Sequence, residues 1–294
     1  MTRRTVVNMA LLAAAVGLAA LVYLLPAAKP AHPPSVLTRM TPGQVTRVQI
    51  SRRGGPAIVL VRRGKRWRIA EPVKAQANRF IIHSLLGITR ADSFGRFAAE
   101  GRDLREFGLD APALRLRLND LQIAFGAIEP LNGRRYVRIG AMVHVIPNYF
   151  YQEASGGVAD FVSRTLLPED SDPVRLALPD KVLQRDESGH WTLAGHGQGP
   201  AAQGGEDLVT RWRRARALDV KPYAGAGRHP TVTVTFDKGR PPLEFEIVST
   251  APTLILARPD IGMAYHFTAS QADKLLRLPG PGAKKKDPHR SASE

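Results

Sequence analysis

The sequence predicts an α+β protein, in which an N-terminal transmembrane helix precedes two tandem antiparallel-sheet-plus-helix repeats, each ordered ββ-α-ββββ-α. Alternation predicts the sheets. LRLRL (Leu114–Leu118) and TVTVTF (Thr231–Phe236) alternate apolar and polar residues, as a strand with one buried face requires. Tight turns predict antiparallel pairing, because a two- or three-residue connection can join only antiparallel neighbours. Recurrence predicts the duplication: Gly64-x-x-Trp67-x-Ile69 is echoed by Gly189-x-Trp191-x-Leu193, about 124 residues further on.

The anchor comes first along the chain. Val6–Leu25 is a run of twenty residues without a charge. As a helix it spans about 30 Å, the thickness of a bilayer's hydrocarbon core. Asn8 and Tyr23 lie near its two ends, where polar and aromatic groups meet the interface. Arg3 and Arg4 hold residues 1–5 in the cytoplasm by the positive-inside rule, which sends the bulk of the chain to the periplasmic side of an inner membrane. A cleaved signal peptide is the competing reading. Its apolar core runs about 7–15 residues and ends at an A-x-A-like site, and LLPAAKPAHPP (Leu24–Pro34) offers no good one. The residues flanking Arg3-Arg4 fit a twin-arginine export signal poorly. Residues 26–42 form a Pro-rich, semi-rigid linker, and residues 279–294 have the composition of a disordered basic tail.

The first repeat, residues 43–168, opens with VTRVQIS, turns at Gly54-Gly55-Pro56 into AIVLVRR, and turns at Gly64 into WRIAEP. Asn78 is placed as a helix N-cap ahead of a stripe at Ile81, Leu85 and Ile88. LRLRL then turns at Asn119-Asp120 into LQIAF, YVRI and VHVI extend the sheet, and NYFYQEA opens a closing helix. The second repeat, residues 169–278, opens with VRLAL, KVLQRDE and HWTLAG. Glu206 and Asp207 supply an acidic first helical turn before a stripe at Leu208, Trp212 and Ala215. TVTVTF turns through Asp237-Lys238-Gly239 into LEFEI, TLILA and AYHF follow, and Ser270-x-x-Asp273 caps the last helix.

Composition bounds the chemistry. The net charge of +16 favours anionic partners such as lipid headgroups, acidic glycans or nucleic acid. There is no cysteine, which excludes disulfides, thiolate zinc sites, iron–sulfur clusters and cysteine nucleophiles.

Several of these segments together resemble a family. VTRVQIS, GKRWRIAEP, LREFGLDAP (Leu104–Pro112), YVRIG and VHVIP are similar to the bacterial family known as domain of unknown function 4340, over most of residues 43–280 and more closely in the first repeat. LREFGLDAP is the most specific of them. The resemblance implies a membrane-tethered envelope protein, some of whose relatives look like auxiliary components of transport systems linked to gliding motility. It implies no catalytic residues. LREFGLDAP also reads physically as a connector: Leu104 and Phe107 anchor a turn on the core, Gly108 ends it, and Asp110 and Pro112 redirect the chain. A ligand role for Asp110 is the minor alternative.

No segment carries a recognised catalytic constellation. GHGQGPAAQGG (Gly195–Gly205) precedes a helix, as phosphate loops do, but lacks Gly-Lys-Ser/Thr, so a flexible connector is the better reading. His190 and His196 have no acidic partner at a metal-ligating spacing. Ser155 sits in a Ser-Gly-Gly loop, and Glu244 and Glu246 share the outer face of one strand. Two basic clusters remain as candidate anionic-surface contacts: Arg62, Arg63, Lys65, Arg66 and Arg68 on a hairpin, and Arg211, Arg213, Arg214 and Arg216 on a helix. Both also read as solvated faces whose long stems cover core edges. Trp67 between the hairpin cations is expected to be a core residue.

The expected function is therefore a non-enzymatic accessory or interaction module of a bacterial envelope, without cofactor or metal, held to the inner membrane by residues 6–25 and joined to a protein partner in an envelope or transport complex. The alternatives are a binding module for anionic glycan or lipid headgroups and a hydrolase with an unrecognised site. No nucleic-acid partner is expected, because no nucleic-acid-binding motif is present.

Overall fold

The computed structural model describes residues 8–9, 11–17, 20, 35–194, 200–225, 227–237 and 239–278. Residues 8–9, 11–17 and 20 are helical. No helix among the described residues is long and apolar enough to cross a membrane. The rest of the expected span, linker residues 26–34 and the tail from 279 lie outside the described residues.

The body begins with β1 (Ser35–Val36). A meander follows of β2 (Arg47–Arg52), β3 (Ile58–Arg63), β4 (Arg66–Glu71) and a two-residue β5 (Ala75–Gln76). Helix α1 (Arg79–Leu86) comes next, then β6 (Asp92–Ser93), which pairs with β1. After them run β7 (Gly95–Ala98), β8 (Leu114–Leu118), β9 (Leu121–Ile128), β10 (Arg135–Ile139) and β11 (Met142–Ile146), and the short helices α2 (Tyr149–Ala154) and α3 (Val158–Phe161). The nine-stranded first sheet has the order β5-β4-β3-β2-β8-β9-β10-β11-β7, antiparallel throughout.

The chain continues through β12 (Pro173–Leu178), β13 (Lys181–Arg185), β14 (Trp191–Leu193), α4 (Pro200–Arg214), β15 (Asp219–Pro222), β16 (Thr231–Phe236), β17 (Leu243–Ser249), β18 (Thr253–Arg258), β19 (Met263–Thr268) and α5 (Ala269–Leu276). The eight-stranded second sheet has the order β14-β13-β12-β16-β17-β18-β19-β15, again antiparallel. The fold class is α+β with antiparallel sheets. The expected ββ-α-ββββ-α order needs two corrections. Four strands of the first sheet precede α1 and three of the second precede α4, since WRIAEP and HWTLAG are strands in their own right and the two-residue β5 adds another to the first. A further strand, β7 or β15, lies between each of those helices and the four-strand meander. These two are four residues long, too short to display a period of two, and they pair only at a sheet edge, where Pro222 costs no ladder bond.

Binary patterning explains the packing. Val48, Ile50, Leu60, Ile69, Leu116, Leu118, Ile123 and Phe125 are buried on one face of the first sheet. Val232, Val234, Phe245, Leu254, Leu256 and Phe267 do the same in the second. One hydrophobic cluster runs unbroken through both. Asn78 caps α1 as expected, its Oδ1 accepting from Phe80 N at 3.1 Å. Of the expected stripe, Leu85 and Ile88 are buried, and Ile82 and Leu86 are buried beside them, whereas Ile81 is only partly so. In α4 the stripe of Leu208, Trp212 and Ala215 is buried as expected. The helix begins at Pro200, which puts Glu206 and Asp207 at mid-helix instead of the first turn. Helix α5 starts at Ala269, so its cap is Thr268, whose backbone N–H donates to Gln271 Oε1 at 3.2 Å; the Ser270–Asp273 pair is already inside it.

LREFGLDAP packs on the opposite face of the first sheet. Phe107 meets Phe97 and Tyr136 at ring distances of 5.1 and 5.0 Å, in a small separate cluster with Leu104, Leu109 and Val143. Two glycines permit it. Gly108 adopts φ +64°, and Gly126 on β9 leaves room for the turn, because a Cβ there would stand 2.2 Å from Phe107 O. The next amide, Ala127 N–H, donates to that oxygen at 2.7 Å.

The two sheets are distinct, and the chain between them stitches them together. Asn78 N donates to Phe161 O and Ser163 N to Gln76 O, both at 2.7 Å. On its other side, Ala217 N donates to Arg164 O at 2.8 Å and Leu166 N to Ala215 O at 3.4 Å. Residues 161–166 therefore form a backbone seam with the edge of the first sheet on one side and the segment after α4 on the other.

Candidate functional site

The hairpin cations diverge. Alternation along β4 turns Ile69 into the core and leaves Arg66 and Arg68 exposed. Arg62 is tied down on the protein, donating to Gly64 O in its own hairpin turn at 3.0 Å and to Gly43 O ahead of β2 at 2.8 Å. Arg66 reaches across the seam to Asp170 at 2.5 Å. Arg63, Lys65 and Arg68 have no hydrogen-bond or ion-pair partner among the described residues. Trp67 is half-buried at the edge of the core, which corrects the expectation that it is a core residue. It lies next to the last strand of its sheet, and the two-residue β5 beyond is too short to cover it.

The helix cations also diverge. Trp212 is fully buried, and its Nε1–H donates to Leu275 O at 2.7 Å, which locks α4 to α5. Arg211 leans over Lys274 O at 3.5 Å, and Arg213 and Arg214 are exposed. Arg216, just past the helix, stacks over the Phe80 ring at 4.8 Å, with Arg79 over the same ring at 4.9 Å.

The seam brings part of the two clusters together. A cleft of about 290 Å³ on one side of it is lined by Lys65, Arg66, Arg79 and Arg216, with Glu169 as its acidic member. A second cleft of about 310 Å³ shares Gln76, Ser163 and Thr165 with the first and is lined by Arg68, Lys74, Arg240 and Arg258. Arg62, Arg63, Arg213 and Arg214 line neither cleft, and Arg211 and Arg214 border another hollow, between α4 and α5.

Ion pairing sets the charge balance in the second cleft. Arg240 pairs with Asp170 at 3.3 Å, and Asp170 also holds Arg66, so one carboxylate joins the two sheets. The hydrogen bond from Arg240 is the main cause that holds the Asp170 carboxyl below its usual range, against an opposing push from burial. Arg258, only 12% exposed, pairs with Asp260. Burial raises the pKa of the Tyr265 phenol, which keeps it a neutral hydroxyl. Lys74 has no partner among the described residues, like Arg68. No motif or spacing in the sequence points to Lys74, Arg240, Arg258 or Tyr265. Lys74 and Arg240 lie on turns, Arg258 ends β18 and Tyr265 lies within β19, and no periodicity links them.

The other candidate chemistry disperses. Ser155 Oγ donates to Gln152 O at 2.8 Å. Glu246 accepts from the Tyr223 hydroxyl at 3.0 Å. The exposed ring of His190 lies 4.0 Å from Asp186, and His196 lies with residues 195–199 outside the described residues, while residues 200–205 are the start of α4, which corrects the expectation of a flexible connector there. Among the described residues no group of three or more His, Asp or Glu is placed to hold a metal ion.

A family model matches residues 67–222. The chain belongs to the family described as Domain of unknown function (DUF4340). The match is narrower at both ends than the resemblance over residues 43–280. It starts at Trp67 and ends at Pro222, and so takes in LREFGLDAP, the whole seam and α4. It contains Arg68 and Lys74 but not Arg240 or Arg258. No curated protein and no solved structure matches the chain.

Proposed function

We propose that this family member is a single-pass membrane protein whose α+β body lies on the periplasmic side of a bacterial inner membrane and acts as an accessory module without catalysis of its own. The observation that carries the reading is the N-terminal run. Its residues 8–9, 11–17 and 20 are helical, and the large side chains of Met9, Leu11, Leu12 and Val16 are all more than 60% exposed. Apolar helical residues with no protein against them are suited to lipid. A reporter fused at Ser35 should be active only in the periplasm, and activity confined to the cytoplasm would overturn the topology. Purification through the intact anchor should bring down an envelope partner in fixed stoichiometry. An accessory role in a transport complex fails if nothing accompanies the chain.

Within this reading the body is a tandem duplication. The matching strand orders of the two sheets, once β5 is set aside, support it, as does the shared Gly-Trp hairpin frame.

A second reading, contact with an anionic glycan or lipid surface, draws on the exposed cations Arg63, Lys65, Arg213 and Arg214. Such residues contribute about 1 kcal/mol each near an anionic membrane. It predicts salt-sensitive attachment to phosphatidylserine vesicles, and attachment indifferent to salt would remove it.

A further inference from the structure

We infer that the cleft lined by Arg68, Lys74, Arg240 and Arg258 is a binding site for an organic phosphate monoester, either a free small molecule or a lipid headgroup. The inference deepens the anionic-surface reading by naming one site and one ligand chemistry, and it rests on different residues.

Charge accounting points to a dianion. Four cations line the cleft. Asp260 neutralises Arg258 at 2.5 Å, and Asp170 partly neutralises Arg240 at 3.3 Å, since it also holds Arg66. Arg68 and Lys74 are left uncompensated in the same cleft. A group with two negative charges matches Arg68 and Lys74, where a single carboxylate leaves one of them over. A phosphate monoester carries about −1.5 to −2 charges near neutral pH and three acceptor oxygens. Arginine forks suit such oxygens, and lysine serves as a point charge.

The walls point to an organic substituent. Leu166, Pro168, Pro241, Pro242 and Leu243 supply apolar surface beside the cations. Tyr265 also lines the cleft, and its hydroxyl remains protonated. The volume of about 310 Å³ falls at the lower end for small-molecule sites. The site draws on β4 and the loop after it, on the seam, and on β18 and the β16–β17 turn, so ligand would bridge the two sheets.

Full-length protein in nanodiscs of neutral lipid provides the test. Glycerol phosphate is titrated by calorimetry at low salt. In parallel, vesicles carrying phosphatidic acid or phosphatidylserine are tested by co-flotation. Arg68→Gln and Lys74→Gln should each weaken binding about tenfold, the loss of one charge-assisted contact. Arg213→Gln, outside the cleft, should leave it unchanged. Lys74→Arg, which keeps the charge, should bind like the parent. Neither Arg68 nor Lys74 holds a structural partner, so the variants should melt as the parent does, and a ligand-induced rise in the parent's melting temperature gives a readout free of variants. Saturable binding of glycerol phosphate with this pattern supports a free ester. Binding to phosphatidic acid vesicles alone, with the same pattern, supports a headgroup. No binding of either, or an equal loss in Arg213→Gln, overturns the site. Equal attachment of all variants to both anionic vesicles overturns it too, and leaves the surface reading standing.

Discussion

Trp212 and Trp67 show how differently one residue type can be used. Trp212 is fully buried, hydrogen-bonded to Leu275 O, and edge-on to Phe245 at 5.5 Å. Trp212→Ala should lower unfolding stability by about 3–5 kcal/mol in urea titrations, because it removes a large core side chain and separates α4 from α5. Trp67 is half-buried beside the cleft, and Trp67→Ala should lower stability by only about 1–2 kcal/mol. A loss as large as that of Trp212→Ala would show that the hairpin edge is better covered than its exposure indicates. The similar spacing of Gly64 and Trp67 and of Gly189 and Trp191 was legible in the sequence. The unequal burial of the two tryptophans was not, since burial depends on what lies beyond the strand: β5 flanks β4, whereas β14 packs directly under α4.

Among the elements, the LREFGLDAP turn and strand β9 fit only because Gly126 lets Phe107 O approach its Cα. Gly126→Ala should destabilise by about 1–3 kcal/mol, the usual cost of forcing atoms into a packed site, measured as a lower urea midpoint with an unchanged slope. A neutral outcome would mean that the turn shifts freely. The glycine of the turn itself, Gly108, was readable as a helix-ending residue. Its counterpart Gly126 was not, because nothing within LQIAFGAI records which distant segment comes to rest on it. Strand identity followed from alternation, or from an apolar run between turns, wherever strands were five residues or longer. It failed at β7 and β15, where pairing with β11 and β19 decides the conformation and the local pattern does not.

For the whole molecule, the seam and the Asp170 clamp set how the sheets sit together. Asp170 is held below its ordinary value of 3.8, so it adds stability above that pH, and the contribution is lost as the pH falls through the lower folded value. Asp170→Asn should therefore lower the melting temperature at pH 7. The gap from the parent should close well below pH 3.8. About a third of the side chain is exposed, so each of its ion pairs is worth less than about 1 kcal/mol. A gap that persists at low pH would assign the effect to packing instead of charge. The sequence by itself determined the fold class, most strands, the long helices and the apolar N-terminal run, since each of these follows from the period of hydrophobicity along a short window. Only the tertiary structure decided that Arg66 pairs with Asp170 while Arg68 turns into a cleft with Lys74, Arg240 and Arg258. Those side chains come from segments up to 190 residues apart, and they meet because two sheets are stitched edge to edge by residues 161–166.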